Sequence, residues 1–110
     1  MTDLQEKRCM ACEAGVPPLS HEKIKTLLTQ VSGWQLNKEE KEINRKFEFK
    51  NFYKTMAFVN AIAWIANQEN HHPDLEVGYN YCKVKFTTHA INGLSENDFI
   101  CAAKVDKLLV

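Results

Sequence analysis

Apolar residues at helical spacing predict three helices along the chain. The first begins after an N-cap at Ser20, and its apolar stripe consists of Ile24, Leu27, Leu28 and Val31. The longest helix is predicted over residues 52–69, where no charged residue occurs between Lys54 and Glu69. Such a helix is buried on more than one side, so either the first helix or a partner subunit covers what the sheet leaves open, and we favour the partner. The last helix follows Ser95-x-x-Asp98, which has the spacing of a capping box.

Alternating polar and apolar residues predict four strands, arranged as two hairpins around the central helix. The residues that share one face of each strand are Trp34 and Leu36, then Ile43, Arg45, Phe47 and Phe49, then Leu75, Val77 and Tyr79, then Cys82, Val84 and Phe86. The order α-β-β-α-β-β-α predicts a single α+β domain over residues 19–110. We expect one four-stranded antiparallel sheet with the helices packed on one face, preceded by an irregular N-terminal arm over residues 1–18.

Charge and composition narrow the classes of function. The formal net charge is zero, which gives no strong field for non-specific nucleic-acid binding. The N-terminus is charged and does not read as a secretory signal. The longest apolar stretch, residues 57–66, is interrupted by Asn60 and is too short to cross a bilayer. We therefore expect a cytoplasmic protein that binds neither membrane nor nucleic acid.

The four cysteines fall into two groups. Cys9-x-x-Cys12 has the spacing of a metal or redox motif, but a structural zinc site needs about four ligands and a second such motif is absent. We expect two reduced thiols on a loose arm, with a bound metal or a redox-sensitive pair as the alternatives. Cys82 and Cys101 are predicted to be buried thiols.

Three histidines and an aspartate are the candidate chemical groups. Histidine titrates closest to neutral pH, and His71, His72 and His89 lie within nineteen residues. Pro73 disfavours helical geometry at His72, so the pair should lie where the long helix ends. The side chains of adjacent histidines diverge, which favours acid–base work over a shared metal ion. A metal site that combines one of them with His89 and a carboxylate is the alternative. Asp98 either caps the last helix alone or also lies near this site.

The segment His71-His72-Pro73-Asp74, followed by Thr88-His89 and by Gly93-Leu94-Ser95-x-x-Asp98, resembles the signature of the pterin-4a-carbinolamine dehydratases. The resemblance extends to Gly33-Trp34 and covers roughly residues 20–106. It implies an α+β fold, a dimer or a tetramer, and an enzyme that removes water from 4a-hydroxytetrahydropterin without a metal or a cofactor. It also implies a role in tetrahydropterin recycling and a functional link to phenylalanine hydroxylase.

The same resemblance implies roles for individual residues. His71, His72, His89 and Asp98 correspond to the catalytic groups. The substrate contacts would come from His71, His72, Pro73, Thr88, His89, Ala90, Ile91 and Trp34. Trp34 is alternatively a core residue. Some relatives carry an acidic residue at the position of Asn67, which leaves the assistance of a carboxylate from this helix open, with Glu69 as the nearby candidate.

Two further functions compete with the enzyme. Animal members of the resembled family also act as a dimerisation cofactor for a transcription factor, so the chain could be a protein-binding coactivator. A pterin-binding regulator without turnover is the other alternative. Three retained histidines favour the enzyme, because a pure binding module does not need them.

Overall fold

The computed structural model describes residues 4–10 and 16–109, and within them it has the predicted order of helices and strands. The elements are α1 (His21–Leu28), β1 (Gln35–Leu36), β2 (Ile43–Glu48), α2 (Phe52–Glu69), β3 (Asp74–Val77), β4 (Tyr81–Phe86) and α3 (Glu96–Lys107). Two short 3-10 turns, Leu4–Glu6 and His89–Ile91, are added to this order. None of the helices in these ranges is long and apolar enough to cross a membrane.

The four strands form one antiparallel sheet in the order β1-β2-β4-β3. The central pair is in a register that places Ile43 opposite Phe86 and Phe47 opposite Cys82. These four side chains are buried, whereas Lys46 and its neighbours on the opposite face are more exposed. The sheet therefore has one covered face, and the predicted α+β architecture is confirmed.

Polar caps fix where the first two helices begin, and the first of them is the predicted Ser20. The side chain of Ser20 accepts a hydrogen bond from the amide of Lys23, and that of Asn51 accepts one from the amide of Lys54. The third predicted strand is shorter than expected, because β3 ends at Val77 and Tyr79 lies in the turn that leads to β4.

The long helix α2 is only partly covered by the other residues that the structure describes. Phe58, Ile62 and Ala66 enter the core. Large side chains elsewhere on the helix stay exposed, namely Phe52, Tyr53 and Trp64. α2 thus keeps apolar surface that the described residues do not bury.

The described part of the N-terminal arm is not loose, which corrects the expectation from sequence. Leu4 is only 3% exposed and belongs to the main core, and the 3-10 turn that it begins packs against α3. Lys104 on α3 donates a hydrogen bond to the carbonyl of Gln5. Cys12 lies outside the described residues, so the expectation that Cys9 and Cys12 are both reduced, with a bound metal or a redox-sensitive pair as the alternatives, stays a prediction.

Candidate active site

The end of α2 places His71. Asn70 adopts the left-handed conformation (φ 52°), and the amide of His71 then donates to the carbonyl of Ala66 across the last turn. Pro73 follows and the chain becomes extended into β3. The histidine pair therefore lies at the boundary between helix and strand, as predicted.

A buried carboxylate holds the imidazole of His71. The Nε2 atom of His71 lies 2.6 Å from Oδ1 of Asp98, which is fully buried. The other oxygen of Asp98 accepts hydrogen bonds from the hydroxyl of Thr88 at 2.8 Å and from the amide of Ser95 at 3.0 Å. The ring of His71 stacks on Phe86 with an angle of 9° between their planes. His71 is thus fixed on one side by an ionic or hydrogen-bonded contact and on one face by an aromatic ring.

A short turn after β4 places His89. The strand ends at Phe86, and His89 begins the 3-10 turn that Asn92 closes in the left-handed conformation (φ 51°). Thr88 and Gly93 pair across this turn as an isolated antiparallel bridge. The bridge directs Thr88 inward to Asp98, while His89 remains exposed.

The three histidines border one cavity of about 500 Å³. Its walls come from the end of α2, the turn after β4, the start of α3 and the N-terminal arm. The lining residues are Cys9, Met10, Gln68, Glu69, Asn70, His71, His72, Thr87, Thr88, His89, Ala90 and Asn97. Within the described ranges, no group of three or more His, Cys, Asp or Glu side chains is arranged to hold a metal ion.

A family model described as pterin 4 alpha carbinolamine dehydratase matches residues 17–108. The chain belongs to this family. A protein from Legionella pneumophila (strain Corby) is 64% identical over 110 residues, which are 99% of this chain and 97% of that one. A protein from Nitrosomonas eutropha is 62% identical over 109 residues, with coverage of 98% and 95%. Both carry pterin-4-alpha-carbinolamine dehydratase as a provisional name.

A solved structure supports the same assignment. The transcriptional coactivator/pterin dehydratase from Brucella melitensis superposes with a TM-score of 0.79 at 31% identity. The match covers 83% of this chain and 97% of that one. The sequence resemblance to the dehydratase family and the prediction of an α+β enzyme are thereby confirmed, since dehydratases of this family are hydro-lyases.

Trp34 is a core residue in this family member, which corrects its expected place at the substrate. It is 4% exposed, and its ring packs against those of Phe47 and Phe86. Its indole Nε1 donates to Oδ1 of Asp106 at 2.9 Å, on a different turn of α3 from Asp98. The side chain therefore faces the covered side of the sheet, and it does not line the cavity.

Two more of the expected contact residues lie beside the cavity without lining it. Pro73 borders a separate, smaller hollow of about 320 Å³ together with His72 and Leu75. Ile91 is 9% exposed and supports the turn that carries His89. Both positions fix the backbone around the histidines.

Asp98 lies at the histidine site, which the sequence had left open. Its carboxylate contacts His71, which is 27 residues away, whereas His89 lines the cavity. Asp98 also has the capping role, because Ser95 and Asp98 form the predicted capping box of α3. The two interpretations of Asp98 are compatible, since its two oxygens serve different partners.

Six residues that line the cavity were not among the predicted site residues: Cys9, Met10, Gln68, Asn70, Thr87 and Asn97. Glu69, which the sequence offered only as a nearby candidate for a carboxylate, lines it as well. The carboxylate of Glu69 accepts a hydrogen bond from the amide of Cys9 at 2.8 Å and contacts Arg8 at 3.0 Å. The carboxylate of Glu69 therefore holds the N-terminal arm against the end of α2. The sequence carried one signal for Glu69, because it is the first charged residue after fourteen uncharged residues of α2. The structure shows that this charged side chain is buried. The sequence carries no comparable signal that the N-terminal arm packs at the wall of the cavity.

Proposed function

We propose that this chain dehydrates 4a-hydroxytetrahydropterin to quinonoid dihydropterin by histidine acid–base catalysis, as a step in tetrahydropterin recycling. The observation that carries the proposal is the convergence of His71, His72 and His89 on one cavity of about 500 Å³. The names of the Legionella and Nitrosomonas relatives support the substrate class.

The reaction needs one acid and one base, and the cavity offers imidazoles for both. The 4a hydroxyl leaves as water after it gains a proton, and N5 loses its proton as the C=N bond forms. The two proton movements balance, so the enzyme returns to its starting state without an oxidant or a covalent intermediate. Positioned general acids and bases typically contribute about 10²–10⁴-fold each.

The contacts that hold each histidine support a separate role for each. His71 can donate its Nε2 proton to Asp98, which leaves Nδ1 with its lone pair for a ligand. Asp98 acts through this imidazole and is therefore a positioning residue. His89 approaches from a different element and is exposed to the cavity, so it serves another position on the substrate. We assign His72, beside Pro73, mainly to binding and polarising the pterin ring.

An assay of 4a-hydroxytetrahydropterin decay with and without the protein tests the proposal. We expect His71→Ala and His89→Ala each to lower kcat by about 10- to 10³-fold with little change in KM. His72→Ala should also weaken the binding of a stable pterin analogue.

A matched histidine control is available outside the cavity. His21 lies at the start of α1 and contacts Glu40 at 2.6 Å, so His21→Ala should retain normal kcat. Full activity in both the His71 and the His89 variants would contradict the mechanism. Equal losses in all four variants would indicate a general loss of folded protein instead.

We also propose that the chain forms a homodimer or homotetramer and acts alongside an aromatic amino-acid hydroxylase such as phenylalanine hydroxylase. The exposed Phe52, Tyr53 and Trp64 of α2 support self-association, because large apolar side chains clustered on one element are typical of interfaces.

A second candidate function is a protein-binding coactivator. The same exposed residues of α2 favour it, and the structurally similar Brucella melitensis protein is described as both a transcriptional coactivator and a pterin dehydratase. Turnover separates the candidates, because a pure coactivator or a pterin-binding regulator would bind a pterin analogue without accelerating the decay of the carbinolamine.

A further inference from the structure

Two cysteines that are far apart in sequence meet beside the cavity. The sulfur of Cys9, on the N-terminal arm, lies 3.5 Å from the sulfur of Cys101, on α3. Cys101 is fully buried, and Cys9 is half-buried at the cavity wall. The sulfurs are already in van der Waals contact, and a disulfide places them at about 2.05 Å.

Hydrogen bonds on both sides of Cys9 hold it in this place. The amide of Cys9 donates to Oε1 of Glu69 at 2.8 Å. The next residue, Met10, is bound through both backbone groups to the amide side chain of Asn97, with its N–H donating to Oδ1 at 3.0 Å and its carbonyl accepting from Nδ2. The thiol of Cys9 itself contacts the carbonyl of Asn97 at 3.8 Å. Several hydrogen bonds on the N-terminal arm therefore hold the two sulfurs in contact.

The surroundings give the two thiols different reactivity. The hydrogen bond with Cys9, burial, and the nearby charges of Glu69 and Asp98 together raise the pKa of the Cys101 thiol well above its usual range. Cys101 therefore keeps its proton and reacts slowly by itself. Cys9 is the sulfur that an oxidant in the cavity can reach first.

We propose that Cys9 and Cys101 form a reversible, peroxide-driven disulfide that locks the N-terminal arm onto α3 at the wall of the cavity. Hydrogen peroxide first oxidises Cys9 to a sulfenic acid and releases one water. The sulfur of Cys101 then bonds to the sulfur of Cys9, and the hydroxyl leaves with the Cys101 proton as a second water. Two thiols lose two electrons and two protons, and one peroxide is reduced to two waters. A dithiol such as dithiothreitol restores both thiols.

The Cys9–Cys101 disulfide affects the part of the cavity wall that lies outside the matched family model. That model begins at residue 17, whereas Cys9 and Met10 line the cavity from the arm. The thiol of Cys101 also lies 4.0 Å from the carbonyl of His71, so the crosslink forms next to the backbone that carries a candidate catalytic residue. Oxidation therefore ties one wall of the cavity to the helix behind it.

Peptide mapping of the full-length protein after treatment with hydrogen peroxide tests the proposal. We expect a Cys9–Cys101 linked peptide that dithiothreitol removes. Amide hydrogen exchange over residues 5–10 should become about tenfold slower in the oxidised protein, because opening of the arm then no longer separates it from α3.

Two serine variants on the arm make the test specific. Cys9→Ser, which changes a half-buried residue at the edge of the core, should lose the crosslink and the slower exchange. Cys12→Ser, the matched control three residues along, should retain both. A Cys9–Cys12 disulfide, a Cys9 sulfinic acid without any crosslink, or unchanged exchange in the crosslinked protein would overturn the proposal.

Discussion

Replacement of Asp98 by asparagine separates its two roles, because the two oxygens of this carboxylate have different partners. Oδ2 accepts from Thr88 and from the amide of Ser95, the N-cap of α3, whereas Oδ1 contacts the imidazole of His71. An asparagine can place its carbonyl toward Thr88 and Ser95. Its NH₂ group then faces Nε2 of His71. A hydrogen bond in that direction requires Nε2 to be the acceptor, so the imidazole proton moves to Nδ1.

The expected loss is large in rate and small in stability. With its proton on Nδ1, His71 no longer offers a lone pair to the substrate, and we expect kcat to fall by about 10- to 10³-fold, the same range as for His71→Ala. The fold loses the difference between a charged and a neutral hydrogen bond, about 1–2 kcal/mol. Asparagine is also nearly as good a capping residue as aspartate. For a domain of this size such a loss lowers Tm by about 5–10 °C, and the protein stays folded at 25 °C.

The measurement is steady-state decay of 4a-hydroxytetrahydropterin together with a thermal melt. Asp106→Asn is the matched control, because Asp106 is on the same helix and accepts hydrogen bonds from Trp34 and Arg45 at 2.9 Å, away from the cavity. We expect it to lose similar stability and to retain kcat. Wild-type kcat in Asp98→Asn would refute the reasoning and leave Asp98 with only its capping role.

Two other predictions concern the protein as a whole. Dialysis against a chelator should leave dehydratase activity intact, and a loss that zinc restores would contradict acid–base catalysis by histidine alone. Sedimentation at micromolar concentration should show a species of at least twice 12.7 kDa, and Trp64→Glu, on the exposed side of α2, should shift it toward the monomer. A wild-type monomer would show that α2 does not mediate self-association.

The sequence contained the information that determines the main elements. The predicted helix 52–69 has the bounds of α2, because Asn51 caps its start and Pro73 prevents it from continuing far beyond Glu69. Strict alternation likewise identified Cys82, Val84 and Phe86 as the covered face of β4. These are local rules, in which a few neighbouring residues decide the outcome.

The features that the sequence did not reveal depend on contacts between distant segments. His89 is nearer to Asp98 along the chain, yet His71 pairs with it, because the start of α3 packs beside the end of α2. From the sequence, Trp34 could face either a ligand or the core. Its ring packs against those of Phe47 and Phe86, which places it in the core. In each case the chain leaves two local choices open, and tertiary packing selects one.

The backbone on either side of the cavity explains how one small domain can orient two imidazoles independently. Asn70 and Asn92 both adopt the left-handed conformation, one directly before His71 and the other three residues after His89. Asparagine is among the few residues besides glycine that tolerate this geometry, so each turn is tight and of defined shape. Asp98 then ties the first histidine to the turn that carries the second, through Thr88. Separate turns therefore fix the positions of His71 and His89, and the buried carboxylate of Asp98 links these two turns. A change at Asp98 therefore disturbs their relative placement more than a change in the exposed ring of His89.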